Sequence, residues 1–205
     1  MTYVVFAGNI GAGKTTLARA FAAADDRRSL QEESVENNPF LELSYRDKAK
    51  WTFHLNTFFL TDRARQLSEF VTSNSVGVFD RSIYEDLIFL NYSIAHDLVS
   101  KEEFETLSML ADVLASLIPP PTLMVYVRPP VGEVLRRVEA RSRAYESGID
   151  HAYLAELQEM YDEWIGTFNL CPVLQLDNAE DQIAQTVLAV NEALATHSAR
   201  STERS

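Results

Sequence analysis

Gly8, Asn9, Ile10, Gly11, Ala12, Gly13, Lys14 and Thr15 follow the apolar run Val4-Val5-Phe6-Ala7 and lead into a helix-prone stretch that opens at Thr16. A glycine-rich turn between a strand and a helix aims backbone N–H groups and the positive end of the helix dipole at one anion. In that setting Lys14 reaches the β- and γ-phosphates of a nucleotide, Thr15 holds Mg²⁺, and Thr16 completes the phosphate-binding set. A turn that only caps a helix would have no need of Lys14 or Thr15. The chemistry offered by this spacing is therefore the binding of a small, locally held anion.

Transfer of a phosphoryl group also needs a residue that orients or deprotonates the acceptor, and positive charge over the group in flight. Glu33 closes the second expected strand and places a carboxylate across the rim from the loop, where it is either the base for an acceptor hydroxyl or a solvated surface acid. Alternation along a strand sends Glu32 to the opposite face, so at most one of the two enters the site. Asp80-Arg81-Ser82 follows another apolar run; Asp80 is placed to help hold Mg²⁺, and Arg81 to orient Glu33 or the acceptor. Arg136, Arg137, Arg141 and Arg143 concentrate cations in an otherwise acidic chain. Arg137 and Arg141 share a helix face, and such a cluster can close over a transferring phosphoryl. Alone it would read as a solvated helix end; beside a phosphate loop it reads as a lid. Tyr45, Trp51, Phe53 and Asn56 have helical spacing, which by itself reads as core. His54, His96, His151 and His197 show no metal-ligand spacing.

The elements that must carry these groups alternate. Short β-branched or aromatic runs at 3–7, 29–33, 76–80, 123–127 and 173–177 read as strands. Helical patterns cover 14–24, 39–72 with a break, 84–96, 101–117, 131–141, 150–168 and 179–196. Alternation of this kind predicts an α/β fold, a five-stranded parallel sheet with helices on both faces. Ligands bind beyond the carboxyl ends of such strands, where the loop, Glu32-Glu33, Asp80-Arg81, Arg128 and Asp177 all fall.

With 205 residues, 46% of them hydrophobic, the chain can bury one full core, and a single domain over 1–197 is expected, with 198–205 a disordered tail. A net charge of −12 argues against a nucleic-acid or anionic-membrane partner. One cysteine, Cys171, has no intrachain partner, and no apolar run reaches the length of a membrane span. The expected location is the cytoplasm.

Taken in order, these motifs resemble the deoxyribonucleoside kinase family, whose bacterial members act on deoxyadenosine and deoxyguanosine. The resemblance rests on the loop at 8–15, Glu33-Ser34-Val35, Asn38-Pro39-Phe40-Leu41 with Tyr45 and Trp51, Asp80-Arg81-Ser82-Ile83-Tyr84-Glu85-Asp86, and the lid-like Arg137, Arg141, Arg143 and Glu146. It implies a P-loop kinase fold with an Arg-rich lid, ATP and Mg²⁺ as cofactors, phosphorylation of a deoxynucleoside 5′-hydroxyl in nucleotide salvage, and a homodimer. By the same resemblance Glu33 is the base with Arg81 beside it, and Tyr45 and Glu146 meet the sugar 3′-hydroxyl. Trp51 walls the base pocket, Thr15 and Asp80 serve Mg²⁺, and the segment from Asp177 to Asp181 packs on the donor adenine.

Two positions depart from the family pattern: Asn56 stands where a longer Gln usually reads the base, and Ser34 where Pro often follows the base Glu. Asp86, paired with Arg81 in the resemblance, looks like the members that accept purines and deoxycytidine. An ionised Asp only accepts hydrogen bonds, which favours an amino or N–H edge. The alternatives are a nucleoside monophosphate kinase similar to thymidylate kinase, against which the Tyr45 and Glu146 pair argues, and a GTP-dependent switch, for which no Asp-x-x-Gly or Asn-Lys-x-Asp is present. A non-catalytic partner subunit would not need Lys14, Glu33, Asp80 and the lid arginines.

Overall fold

The computed structural model describes residues 1–35, 37–73, 75–141, 143, 146, 148–177 and 182–202. β1 (Tyr3–Ala7) is buried along its whole length and forms the centre of the sheet. It is followed by α1 (Lys14–Ala23), β2 (Arg28–Gln31), α2 (Leu41–Arg46), α3 (Lys48–Val71), β3 (Val76–Asp80), α4 (Asp86–Ala95) and α5 (Lys101–Leu117). The second half comprises β4 (Leu123–Val127), α6 (Val131–Ala140), α7 (His151–Thr167), β5 (Val173–Leu176) and α8 (Ile183–Thr202). The strands are all parallel in the order β2-β3-β1-β4-β5. The chain therefore switches sides at β1, and the crevice at a switch point is where a parallel sheet binds ligands.

Alternation along β1 builds two cores. Tyr3, Val5 and Ala7 face one cluster with Leu60, Leu67 and Phe70 of α3, Leu90 of α4 and Leu107 of α5. Val4 and Phe6 face the other with Leu17 and Phe21 of α1 and Val190 of α8. The five-stranded parallel sheet covered on both faces is thus as the alternation predicts. No helix among the described residues is long and apolar enough to cross a membrane.

The boundaries differ where a rim residue changes role. β2 stops at Gln31, so Glu32 and Glu33 leave the sheet before they can alternate across it. The expected break in the long helix falls at Asp47, whose extended backbone ends α2 and whose side chain caps α3 by accepting from Lys50 N at 3.2 Å. β5 stops at Leu176, short of Asp177. α8 runs on as helical backbone to Thr202, past the expected end at 196, and 203–205 lie outside the described residues.

One glycine decides the packing under β3. Tyr3, Phe70 and Phe79 meet edge to face, with ring centroids 5.4 Å apart for Tyr3–Phe79 and for Phe70–Phe79, and all three close over Gly77. A Cβ there would lie 2.7 Å from Phe79 Cε2, 2.8 Å from Phe70 Cζ and 2.8 Å from Tyr3 Cβ. Overpacking of this kind costs about 1–3 kcal/mol. Gly77→Ala should lower Tm by roughly 2–10 °C in thermal unfolding with the site untouched. An unchanged Tm would mean that the ring cluster yields without cost.

Candidate active site

Gly8 turns the chain out of β1 with φ 143°, so close to β4 that a Cβ would meet Val127 O at 2.4 Å. Gly11 and Gly13 also take positive φ, at 76° and 96°, which glycine alone adopts without strain. The turn delivers Lys14 to the first position of α1. That helix has neither a side-chain cap nor an acid in its first turn, so the amide groups that every helix N-terminus leaves unbonded remain for an anion. Ile10, Gly11, Gly13, Lys14, Thr15 and Thr16 line one end of a cavity of about 800 Å³. Gly8, Asn9 and Ala12 are buried behind it and do not line it. Asn9 holds the loop in shape: its Nδ2 donates to Leu154 O at 2.8 Å, and its Oδ1 accepts from Ile10 N at 2.8 Å.

Lys14 is buried with its Nζ donating to Asn9 O at 2.7 Å. Burial, with Arg81 nearby, lowers its pKa to about 8. Thr15 Oγ1 donates to Asp80 Oδ2 at 2.5 Å. The other carboxylate oxygen, Asp80 Oδ1, is buried without a partner, and burial raises the Asp80 pKa. A hydroxyl and a carboxylate brought together, with one acceptor left over, are hard oxygen donors that fit Mg²⁺.

Beyond the loop the cavity is governed by a chain of charges in which Arg63, Arg81 and Asp86 are buried and Glu33 is partly buried. Glu33 Oε1 lies 2.8 Å from Arg63 Nη2 and 3.0 Å from Arg81 Nε. Desolvation pushes the Glu33 pKa up, but Arg81, Arg63 and Lys14 outweigh it and hold the group below the usual carboxylate range. Arg63 Nη1 in turn bonds Asp86 Oδ1, leaving Asp86 Oδ2 buried without a partner. Burial lifts Asp86 to about 7 even beside Arg63. Arg81 adopts φ 77°, a left-handed conformation rare for a long side chain, and its N–H donates to Phe6 O at 3.0 Å.

These contacts revise several expectations. The partner of Asp86 is Arg63 rather than Arg81, which is taken up by Glu33, Glu85 and Tyr161. Arg63 has little signature in the sequence, where it stands among Asp62, Ala64 and Arg65; its one signal is a cation two helical turns beyond Asn56, on the same face of α3. Trp51 does not line the cavity. The lining face of α3 is Lys48, Thr52, Leu55, Asn56, Phe59 and Arg63, whereas Trp51 is turned onto Phe40, at 5.9 Å between ring centroids, and His54, at 5.3 Å. Asn56 does line it, and its Nδ2 donates back to Thr52 O at 3.1 Å. Glu32 and Glu33 both line the cavity, because β2 ends before strand alternation can separate them; Glu32 pairs there with Arg19 of α1, and Glu33 pairs with Arg63 and Arg81. Arg128 leaves the rim to bind Asp162 of α7 through both Nε and Nη2 at 2.7 Å. Asp177 accepts from Gln175 and does not line the cavity, and 178–181 lie outside the described residues.

The structure brings Arg137, Arg141 and Arg143 to one stretch of the cavity wall, which they line with Tyr45 and Glu146. Arg137 Nη1 donates to Ala12 O at 3.2 Å, tying α6 to the phosphate loop. Glu146 is buried and receives Arg141 at 2.6 and 2.7 Å and Arg143 at 3.5 Å, so the acid expected at the sugar also anchors the lid.

A cavity with an anion-binding loop at one end and a partly buried acid between two buried arginines at the other has the parts of a phosphotransferase. Residues 4–197 match the family model described as Deoxynucleoside kinase. The chain is 33% identical over 201 residues to the deoxyadenosine/deoxycytidine kinase of Bacillus subtilis (strain 168), covering 90% of this chain and 92% of that one. It is 30% identical over 193 residues to the deoxyguanosine kinase of the same bacterium, covering 92% and 86%. The solved structure of deoxyadenosine kinase from M. mycoides with bound dATP has a TM-score of 0.79 at 25% identity, covering 94% of this chain and 98% of the other. The chain is a phosphotransferase, and it belongs to the deoxynucleoside kinase family.

Proposed function

We propose that the protein transfers the γ-phosphate of ATP to the 5′-hydroxyl of a purine deoxynucleoside, with Mg²⁺ held at Thr15 and Asp80. The observation that carries this reading is Glu33: a partly buried acid kept ionised by the buried Arg63 and Arg81 in the same cavity as Lys14. An ionised carboxylate can only accept a proton, which is what an acceptor hydroxyl must lose. As the oxygen–phosphorus bond forms and the bond to the leaving diphosphate breaks, the hydroxyl proton passes to Glu33. Bound Mg²⁺ would neutralise charge on the phosphates. Lys14 and the amides of the first turn of α1 hold the donor phosphates, and Arg137, Arg141 and Arg143 offset the charge that develops on the group in flight. Tyr45 and Glu146 receive the sugar 3′-hydroxyl; the lone pairs of Glu146 are not exhausted by its two arginines. The bound dATP in the M. mycoides structure supports adenine nucleotides as ligands of this fold.

Support for a monophosphate acceptor is weaker. Its phosphate would need a free cation at the acceptor end, and Arg63 and Arg81 are each already matched to carboxylates. The base end is set by Asp86 Oδ2, the unpartnered oxygen that faces an amino or N–H edge, and by Phe59 and Phe89 on either side of the cavity. Curated relatives include both deoxyadenosine/deoxycytidine and deoxyguanosine kinases. The ionised form of Asp86 can accept from all three of those bases, and the relatives named for deoxyadenosine and deoxyguanosine support the purines among them.

Wild-type protein and Glu33→Gln should be offered a panel of deoxynucleosides and deoxynucleoside monophosphates with ATP and Mg²⁺. Deoxyadenosine or deoxyguanosine should be turned over by the wild type, and the substitution should lower kcat by roughly 10²–10⁴-fold. Turnover confined to monophosphates, or an unchanged kcat in the variant, would contradict the reading.

Asp86 gives a second check. Because its pKa is raised in the fold from 3.8 to about 7, the stability it contributes is complete at acid pH and is lost as pH rises through about 7. Asp86→Asn removes the titration. Measured by Tm, the difference between variant and wild type should move in the variant's favour between about pH 5 and pH 8. A constant difference would mean that Asp86 is ionised throughout that range.

A further inference from the structure

Glu85 has no part in the chemistry above, yet its side chain is wholly buried and receives donors from three parts of the chain. Oε1 accepts from Ser82 N at 3.0 Å, while Oε2 accepts from Tyr161 OH at 2.7 Å and from Gly8 N at 3.3 Å and lies 3.4 Å from Arg81 Nη1. Arg81 Nη1 also donates to Tyr161 OH at 2.6 Å and to Gly8 O at 3.3 Å. The first residue of the phosphate loop is therefore gripped at its N–H by Glu85 and at its carbonyl by Arg81. The same Arg81 reaches Glu33 through Nε and sits 5.0 Å from the centroid of the Phe89 ring.

A buried anion is costly unless it is paired and hydrogen-bonded. An apolar residue could fill the space without that cost, so packing alone does not account for a carboxylate here. What the carboxylate supplies is direction. It turns a strained Arg81 toward Glu33 and ties that arginine to the loop on the neighbouring strand, whose register is fixed by the β1–β3 pairing of Phe6 with Asp80.

We propose that Glu85 is a positioning residue for phosphoryl transfer: it locks Arg81 and the first peptide group of the phosphate loop into one unit, so that donor loop and acceptor end keep a single relative geometry. This rests on the reading of Glu33 and Arg81 as the acceptor end. Its effect falls on alignment rather than on affinity, because Glu85 does not itself line the cavity.

The test compares Glu85→Gln with wild type for kcat, for KM toward deoxyadenosine and ATP, and for Tm. The glutamine keeps the shape but removes the charge that faces Arg81, and in either orientation sets its amide N–H₂ against a donor, Ser82 N or Gly8 N with Arg81. The expected result is a kcat lowered roughly 10–100-fold with both KM values within about threefold of wild type. A role in stability alone would lower Tm and leave kcat within about twofold, which would overturn the proposal. Should Glu85→Gln fail to fold, Tyr161→Phe decides. It removes the hydroxyl between Arg81 and Glu85 and keeps both charges, and an unchanged kcat there overturns the proposal equally. A wild-type protein that leaves deoxyadenosine and the other deoxynucleosides unphosphorylated would remove the proposal together with the reading beneath it, whereas normal wild-type turnover with an unaffected variant removes the proposal alone.

Discussion

The ion pairs of Glu33 with Arg63 and Arg81 are the constraint around which the cavity is built. None of these groups could be buried alone, because a lone ion in a protein interior costs several kcal/mol. Each therefore requires the next, and the sequence of contacts runs from Gly8 through Glu85, Arg81, Glu33 and Arg63 to Asp86. Two buried carboxylate oxygens lack a hydrogen-bond partner, Asp80 Oδ1 beside this chain of contacts at the phosphate end and Asp86 Oδ2 at its far end. On the proposed reading a cation and a base edge would complete them.

The sheet makes such an arrangement possible at small strain. β1 and β3 are neighbours, and their parallel register sets Phe6 beside Asp80, so the phosphate loop and Asp80-Arg81 emerge side by side. α3 presents Arg63 to both carboxylates, while α7 contributes Tyr161. The strain that does exist is local: a positive φ at Arg81 and the close approach of Gly8 to Val127. Strain at a site persists where the surroundings over-determine it, and Arg81 is held by Phe6, Gly8, Glu33, Glu85 and Tyr161.

The parts of this that the sequence announces are those with one-dimensional signatures. Alternation of apolar strands and helical patterns names the sheet, and the glycines, Lys14 and Thr15 name the loop, because their roles are set by backbone geometry within a few residues. Partnerships across elements are harder to read. α3 carries two aromatic faces, one with Trp51 and His54 against Phe40 and one with Phe59 opening on the cavity. Composition cannot say which faces inward; the turn at Asp47 decides it. Asp86 has arginines at hand on two elements, and only the fold selects Arg63. Arg128 stands at a strand end like the other rim residues but reaches outward to Asp162 because α7 packs there. Glu85 was hidden for the opposite reason: an acid beside Asp86 in sequence looks like surface charge, and its full burial becomes visible only once Tyr161 and Gly8 surround it.

The account stands most directly on where an acceptor hydroxyl sits. A crystal structure with deoxyadenosine and a non-hydrolysable ATP analogue would locate it. The 5′-oxygen should lie about 3 Å from a Glu33 carboxylate oxygen, with the base edge at Asp86 Oδ2 and the phosphates on the loop at Lys14. A nucleoside lying with its 5′-oxygen away from Glu33, or one whose base turns to the phosphate loop, would contradict the account.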